Sequence, residues 1–117
     1  MKKRLIHRFL PALVLTACLC GCAVPPQPLY SWGSYESQIY AHLNGKSPLE
    51  QIEELERDRV RIESSGRAVP PGFYAHLGLL YYEAGDDAGA VFCLEVEKAN
   101  FPEASSFIDF LLNNYRR

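Results

Sequence analysis

"FYAHLGLLYYEAGDDAGAVFCLEVEKANFP", residues 73–102, decides how this chain of 117 residues folds. Two apolar-rich runs flank the break Gly85-Asp86-Asp87. Tyr74, Leu77 and Tyr81 recur at helical spacing before the break, and Ala90 and Leu94 recur after it. The spacing predicts one helix over about 73–84 and a second over about 88–99. One of Asp86 and Asp87 is expected to cap the second, since a short carboxylate accepts the N–H groups left unpaired at a helix start. Cys93 falls on the inward side of that helix, where a thiol behaves as a small hydrophobe.

The same reading extends in both directions. Tyr35 to Leu43 reads as a short helix stopped by Asn44-Gly45. Ser47-Pro48-Leu49-Glu50 reads as a capping box with proline at the first helical position, opening a helix to about Ser64 that stops at Gly66. Leu49, Ile52, Leu55 and Ile62 are its expected apolar stripe. Its charged residues, with i,i+4 pairs such as Glu53–Arg57, are expected to form a solvated face. Val69-Pro-Pro-Gly72 is an extended break, and Pro102 opens a last helix to about Tyr115, rich in Phe107, Ile108, Phe110, Leu111 and Leu112. No useful length alternates like a strand. The expected fold class is all-α, about five helices in antiparallel hairpins.

The pattern Tyr74-x₂-Leu77-Gly78-x₂-Tyr81, Ala90-x₃-Leu94, Pro102 resembles the tetratricopeptide (TPR) repeat of about 34 residues. The resemblance implies close packing of two helices. Gly78 and Ala90 let the backbones approach, Tyr74, Leu77, Tyr81 and Leu94 fill the surrounding core, and Pro102 starts the next helix. Tyr74 stands for the usual Trp and Leu94 for Phe. Glu97 occupies a position that is normally small, so packing beside it is expected to differ. Only about two and a half units are present where about three usually stand alone, so the N-terminal aromatics or a partner must complete the core.

The N-terminal end carries a different message. Lys2, Lys3, Arg4 and Arg8 precede the apolar run Phe9–Leu15, the layout of an export signal and too short to span a bilayer. Leu19-Cys20-Gly21-Cys22 resembles a bacterial lipobox, and Leu15-Thr16-Ala17-Cys18 repeats the pattern. A metal site would need further ligands at usable spacing, and a disulfide framework would spread its cysteines through the domain. The resemblance implies diacylglycerol and an N-acyl chain such as palmitate on Cys22, with Cys18 the alternative, and these lipids are the only non-protein groups expected. Ala23 after the cysteine resembles the outer-membrane sorting choice. The expected division is a signal over 1–21, a lipidated cysteine with a Pro/aromatic tether over 22–34, and a helical domain over 35–117. "AVPPQP", residues 23–28, favours an extended tether. Trp32 beyond it is expected to clasp the domain rather than sit in the bilayer interface.

Charge narrows the function classes. Loss of the four basic residues of 1–21 from a total of 12 leaves 8 against 14 acidic residues, a net charge of −6. An acidic exported domain without a basic stripe is a poor nucleic-acid binder, and that class is set aside.

"LYSWGSYESQIY", "VPPGFYAHLGLLYYEAGD" and "EKANFPEASSFIDFLLNN" resemble, in order and spacing, a family of small proteobacterial lipoproteins defined only as a domain of unknown function. The likeness covers roughly residues 20–114. Members are encoded beside a lipoprotein resembling the curli secretion pore. The resemblance implies a protein anchored in the outer membrane, facing the periplasm, in the company of other envelope lipoproteins. It supplies no activity.

Searching for chemistry yields little. His76 stands without a nucleophile or an orienting group nearby in sequence, and is read as structural. Ser105 and Ser106 are read as capping residues. No phosphate loop, H-E-x-x-H or G-x-S-x-G occurs, and no catalytic residue, metal site or small-molecule substrate is expected. The expectation is a non-enzymatic interaction or assembly module with contact candidates Trp32, Tyr40, His42, Tyr74 and Tyr82. The alternative is a stand-alone structural or stress-related envelope lipoprotein that binds lipid or cell-wall material. An enzyme would need a cleft lined by His42 or His76 with a carboxylate close by.

Overall fold

The computed structural model describes residues 25–115. The export signal, both lipobox patterns and Cys18, Cys20 and Cys22 lie outside the described residues. Five α-helices follow one another: α1 Tyr35–Leu43, α2 Pro48–Ser64, α3 Phe73–Glu83, α4 Asp87–Asn100 and α5 Ser105–Tyr115. A 3₁₀ turn, Pro102–Ala104, leads into α5. The fold is all-α, a series of helical hairpins, and no strand occurs among the described residues.

Local chemistry sets the boundaries. Pro48 sits at the first position of α2, where its missing N–H costs nothing. The Ser47 hydroxyl makes no cap bond, so the capping box predicted there is not formed. Asp86 does cap α4, its carboxylate accepting from the Gly89 N–H at 2.8 Å. Gly85, at φ +84°, turns the chain between α3 and α4.

The core has two parts. Leu55, Ile62, Phe73, Leu77, Leu80 and Cys93 anchor the larger, between α2, α3 and α4. Leu94, Ile108 and Leu112 anchor the smaller, between α4 and α5. The α3–α4 contact is the most extensive. Gly78 makes it possible: a Cβ there would stand 3.1 Å from the Ala90 carbonyl oxygen and 3.3 Å from Cys93 Cβ.

The expected stripe on α2, and the apolar run on α5, are only partly buried in the folded chain. On α2 the buried positions are Gln51, Leu55, Asp58 and Ile62, while Leu49 is two-thirds exposed. The stripe is tilted because Asp58 turns inward to accept the Ser34 N–H and the Gln51 amide donates to the Lys46 carbonyl at 2.8 Å. On α5, Ile108 and Leu112 are buried but Phe107 and Phe110 point outward.

Residues 30–34 of the stretch read as tether lie on the domain. The Ser31 N–H donates to the Ala68 carbonyl at 2.9 Å, Tyr30 meets Phe101 edge-on, and Trp32 stacks on Tyr35. The clasp is therefore made by Tyr30 and Ser31, while Trp32, expected to form it, stays half exposed against its near neighbour Tyr35.

Candidate functional site

Helix α3 has no side chain to cap its start, because its N-cap is Gly72. Glu97, from α4, supplies the missing acceptor. Its two carboxylate oxygens take the Gly72 N–H at 2.6 Å and the Tyr74 N–H at 3.2 Å. The group is 2 % exposed, and burial raises its pKa above the ordinary glutamate value, opposed by these N–H bonds. The residue that departs from the repeat pattern is thus a helix cap delivered from the neighbouring helix.

The charge run on α2 is only partly a solvated face. Arg57 pairs with Glu53 at 2.7 Å and Glu54 at 2.6 Å, as an exposed run should. Arg59 instead bridges Glu56 at 2.8 Å and Glu63 at 3.1 Å. Those two carboxylates accept the hydroxyls of Tyr81 and Tyr74, each at 3.0 Å. Burial, then the bond to its carboxylate, pushes each tyrosine's pKa up to about 12. The network fastens α2 to α3. Sequence spacing could suggest the Arg59–Glu63 pair, but not that tyrosines from another helix would complete it.

The two histidines come together where α1 meets α3. Their rings stand edge to face with centroids 5.4 Å apart, and His42 Nδ1 lies 3.7 Å from a Glu83 oxygen. His76 is 7 % exposed, and its Nε2 has no hydrogen-bond partner among the described residues. Burial, and secondarily the charge of His42, lowers its pKa to about 4, so it is neutral at pH 7. Gln38, also buried on α1, has no hydrogen-bond partner for its Oε1 among the described residues. Among the described residues no group of three His, Cys, Asp or Glu side chains could hold a metal ion. Cys93 is buried, and that burial pushes its thiol pKa to about 12, far from a reactive thiolate.

The remaining expected residues are distributed over the surface and the core. Leu77, Ala90 and Leu94 are fully buried, Tyr81 is partly buried, and Pro102 is exposed at the 3₁₀ turn. Tyr74 is 7 % exposed, which removes it from the contact candidates. Trp32 is half exposed, and Tyr40 is 70 % exposed. Tyr82 stacks flat on Tyr115 of α5 at 4.0 Å, which ties it to the terminal helix.

Two features escaped the sequence reading. Phe107 and Phe110, one helical turn apart on α5, are 60 % and 62 % exposed, and the contact candidate Tyr40 repeats that arrangement with Leu43 on α1. Two clefts of mixed polar and apolar lining flank the clasp. One, of about 340 Å³, is lined by Ser31, Asp58, Arg61, Ser65 and Arg67 among others. The other, of about 390 Å³, lies between Tyr30, Glu63, Arg67, Tyr74 and Phe101. Arg67 belongs to both. Neither is lined by His42 or His76.

Residues 29–111 match the model of a family described as a domain of unknown function, DUF4810. The chain belongs to the DUF4810 family. The match begins at Leu29 and ends within α5, so it takes in the clasp, α1 to α4 and the first half of α5. No curated protein and no solved structure matches the chain. No helix among the described residues is long and apolar enough to cross a membrane.

Proposed function

We propose that this DUF4810 chain is a non-enzymatic interaction or assembly module of the bacterial envelope, held at the outer membrane by lipid on Cys22, with Cys18 the alternative. One observation carries the reading. The first and last helices of the series, α1 and α5, each present an apolar pair one turn apart to solvent: Tyr40 with Leu43, and Phe107 with Phe110. A free-standing helical array normally ends in helices with a polar outer face, because nothing covers that face. Exposed apolar pairs at the ends fit a module whose array is completed by other chains. The partners that suit it are other envelope lipoproteins, including the curli-pore-like protein encoded beside members of the resembled family. The lipobox resemblance and the Pro-rich segment before the clasp support the anchor.

The test has two parts. Mass spectrometry of the mature N-terminus is expected to find a triacylated cysteine at position 22; an unmodified Cys22 and Cys18 would remove the anchor. Crosslinking in intact membranes is expected to recover an envelope protein joined to α1 or α5. Recovery of this chain alone counts against the module.

A further inference from the structure

Arg67 differs from every other described cation. Lys46, Arg57, Arg59, Arg61 and Lys98 each have a carboxylate within 4.0 Å. Among the described residues Arg67 alone has none. Its guanidinium donates instead to the neutral side-chain oxygen of Gln27 at 2.6 Å. One amide acceptor leaves most of the five donors of a guanidinium open, and leaves its charge uncompensated. This happens in a chain whose acidic residues outnumber its basic ones.

The acids nearby are committed elsewhere. Asp58 pairs with Arg61 at 3.1 Å and accepts the Ser34 N–H. Glu63 accepts from Arg59 and from the Tyr74 hydroxyl. Arg67 therefore contributes the unmatched charge at the place where the two clefts beside the clasp meet. Arg61 and Ser31 line the first of these clefts with it.

We propose that Arg67, assisted by Arg61 and the Ser31 hydroxyl, forms a receptor for a phosphate group. A guanidinium fork matches two oxygens of a phosphate, and a tetrahedral anion keeps further oxygens for the second arginine and the hydroxyl. A planar carboxylate has only two. Clefts of about 340 and 390 Å³ hold a small anionic headgroup. Gln27 occupies the arginine in the ligand-free protein and gives it up on binding.

The phosphate has two sources, a phospholipid headgroup or a soluble phosphoester. Gln27 lies five residues beyond Cys22, a reach of at most about 17 Å for an extended chain. The headgroup source rests on the lipid-anchor reading above; the phosphate chemistry does not.

The experiment uses the full chain in uncharged detergent micelles and reads the fluorescence of Trp32, the only tryptophan and the neighbour of Ser31. One arm titrates inorganic phosphate against sodium chloride at constant ionic strength. The other adds phosphatidylglycerol to the micelles, with diacylglycerol as the phosphate-free control. A saturable change with phosphatidylglycerol alone assigns the headgroup. A change with inorganic phosphate assigns the soluble source. R67A should weaken either response at least about tenfold, while Q27A, which frees the arginine, should strengthen it a few-fold. Circular dichroism of both variants checks that the helices persist. Were R67A to unfold, the Q27A arm still decides. No saturable response to either probe, undiminished binding by a folded R67A, or weaker binding by Q27A overturns the proposal. Failure of lipidation leaves the inorganic-phosphate arm intact, so the two readings fail separately.

Discussion

Glu97 and Gly72 are joined across the α3–α4 hairpin: a glutamate oxygen accepts the glycine N–H at 2.6 Å and so closes the first turn of α3. Because Gly72 has no side chain, no local residue can do this. Replacement of Glu97 by Ala leaves the Gly72 and Tyr74 N–H groups unpaired in a buried place. We expect E97A to lower stability by about 2–3 kcal/mol, or roughly 10 °C or more in Tm for a domain of this size. E97Q, which keeps one acceptor oxygen, should lose less. Thermal melts by circular dichroism measure both.

His76 sets a pH dependence whose sign is fixed. In the folded chain its pKa is about 4, against about 6.5 when unfolded. Between those values the unfolded chain takes up a proton that the folded chain refuses. Stability is therefore full above about pH 6.5, falls as pH drops toward 4, and the loss totals roughly 3 kcal/mol. Glu97, with its raised pKa, works in the opposite direction, stabilising the folded chain as pH falls through its raised value toward the ordinary carboxylate one. H76L removes the titrating group, and its denaturant midpoint should fall less between pH 6.5 and 5 than that of the parent.

Gly78 limits how closely α3 and α4 approach. G78A gains helix propensity of about 1 kcal/mol but brings a methyl to 3.1 Å from the Ala90 carbonyl oxygen. These effects nearly cancel, and a change within about 1 kcal/mol is expected. G78V adds two more carbons against Cys93 and Leu94, with no space to take them, and should cost about 2–3 kcal/mol. Urea denaturation of the pair distinguishes a packing limit from a simple helix-propensity effect.

The helices were legible in the sequence because their boundaries are written in local chemistry. Pro48, Gly85 and the Asp86 cap act within a few residues of where they stand. The contacts between helices were not, because they depend on direction rather than spacing. Glu97 reads as an irregular small-residue position until α3 brings two N–H groups to it. Leu49 and Phe110 fit an apolar stripe by spacing, yet the polar anchors Gln51 and Asp58 rotate one helix and the core contacts of Ile108 and Leu112 fix the other. His42 and His76 lie 34 residues apart in the chain and meet only through the fold. The Arg67 clefts needed the clasp in place.

The exposed aromatic pair on α5 should matter little to folding. F107S and F110S remove side chains that are already more than half exposed, so each should change stability by no more than about 0.5 kcal/mol. The double variant should melt close to the parent and lose its partner in a membrane crosslinking experiment.

Site-specific photocrosslinking tests the central claim most directly. A photoreactive residue placed at Phe110 in intact envelopes should give one discrete adduct containing the same envelope protein each time, while the same probe at the exposed Val60 of α2 should not. No adduct from Phe110, or identical adducts from both positions, would contradict the account of an array completed by other chains.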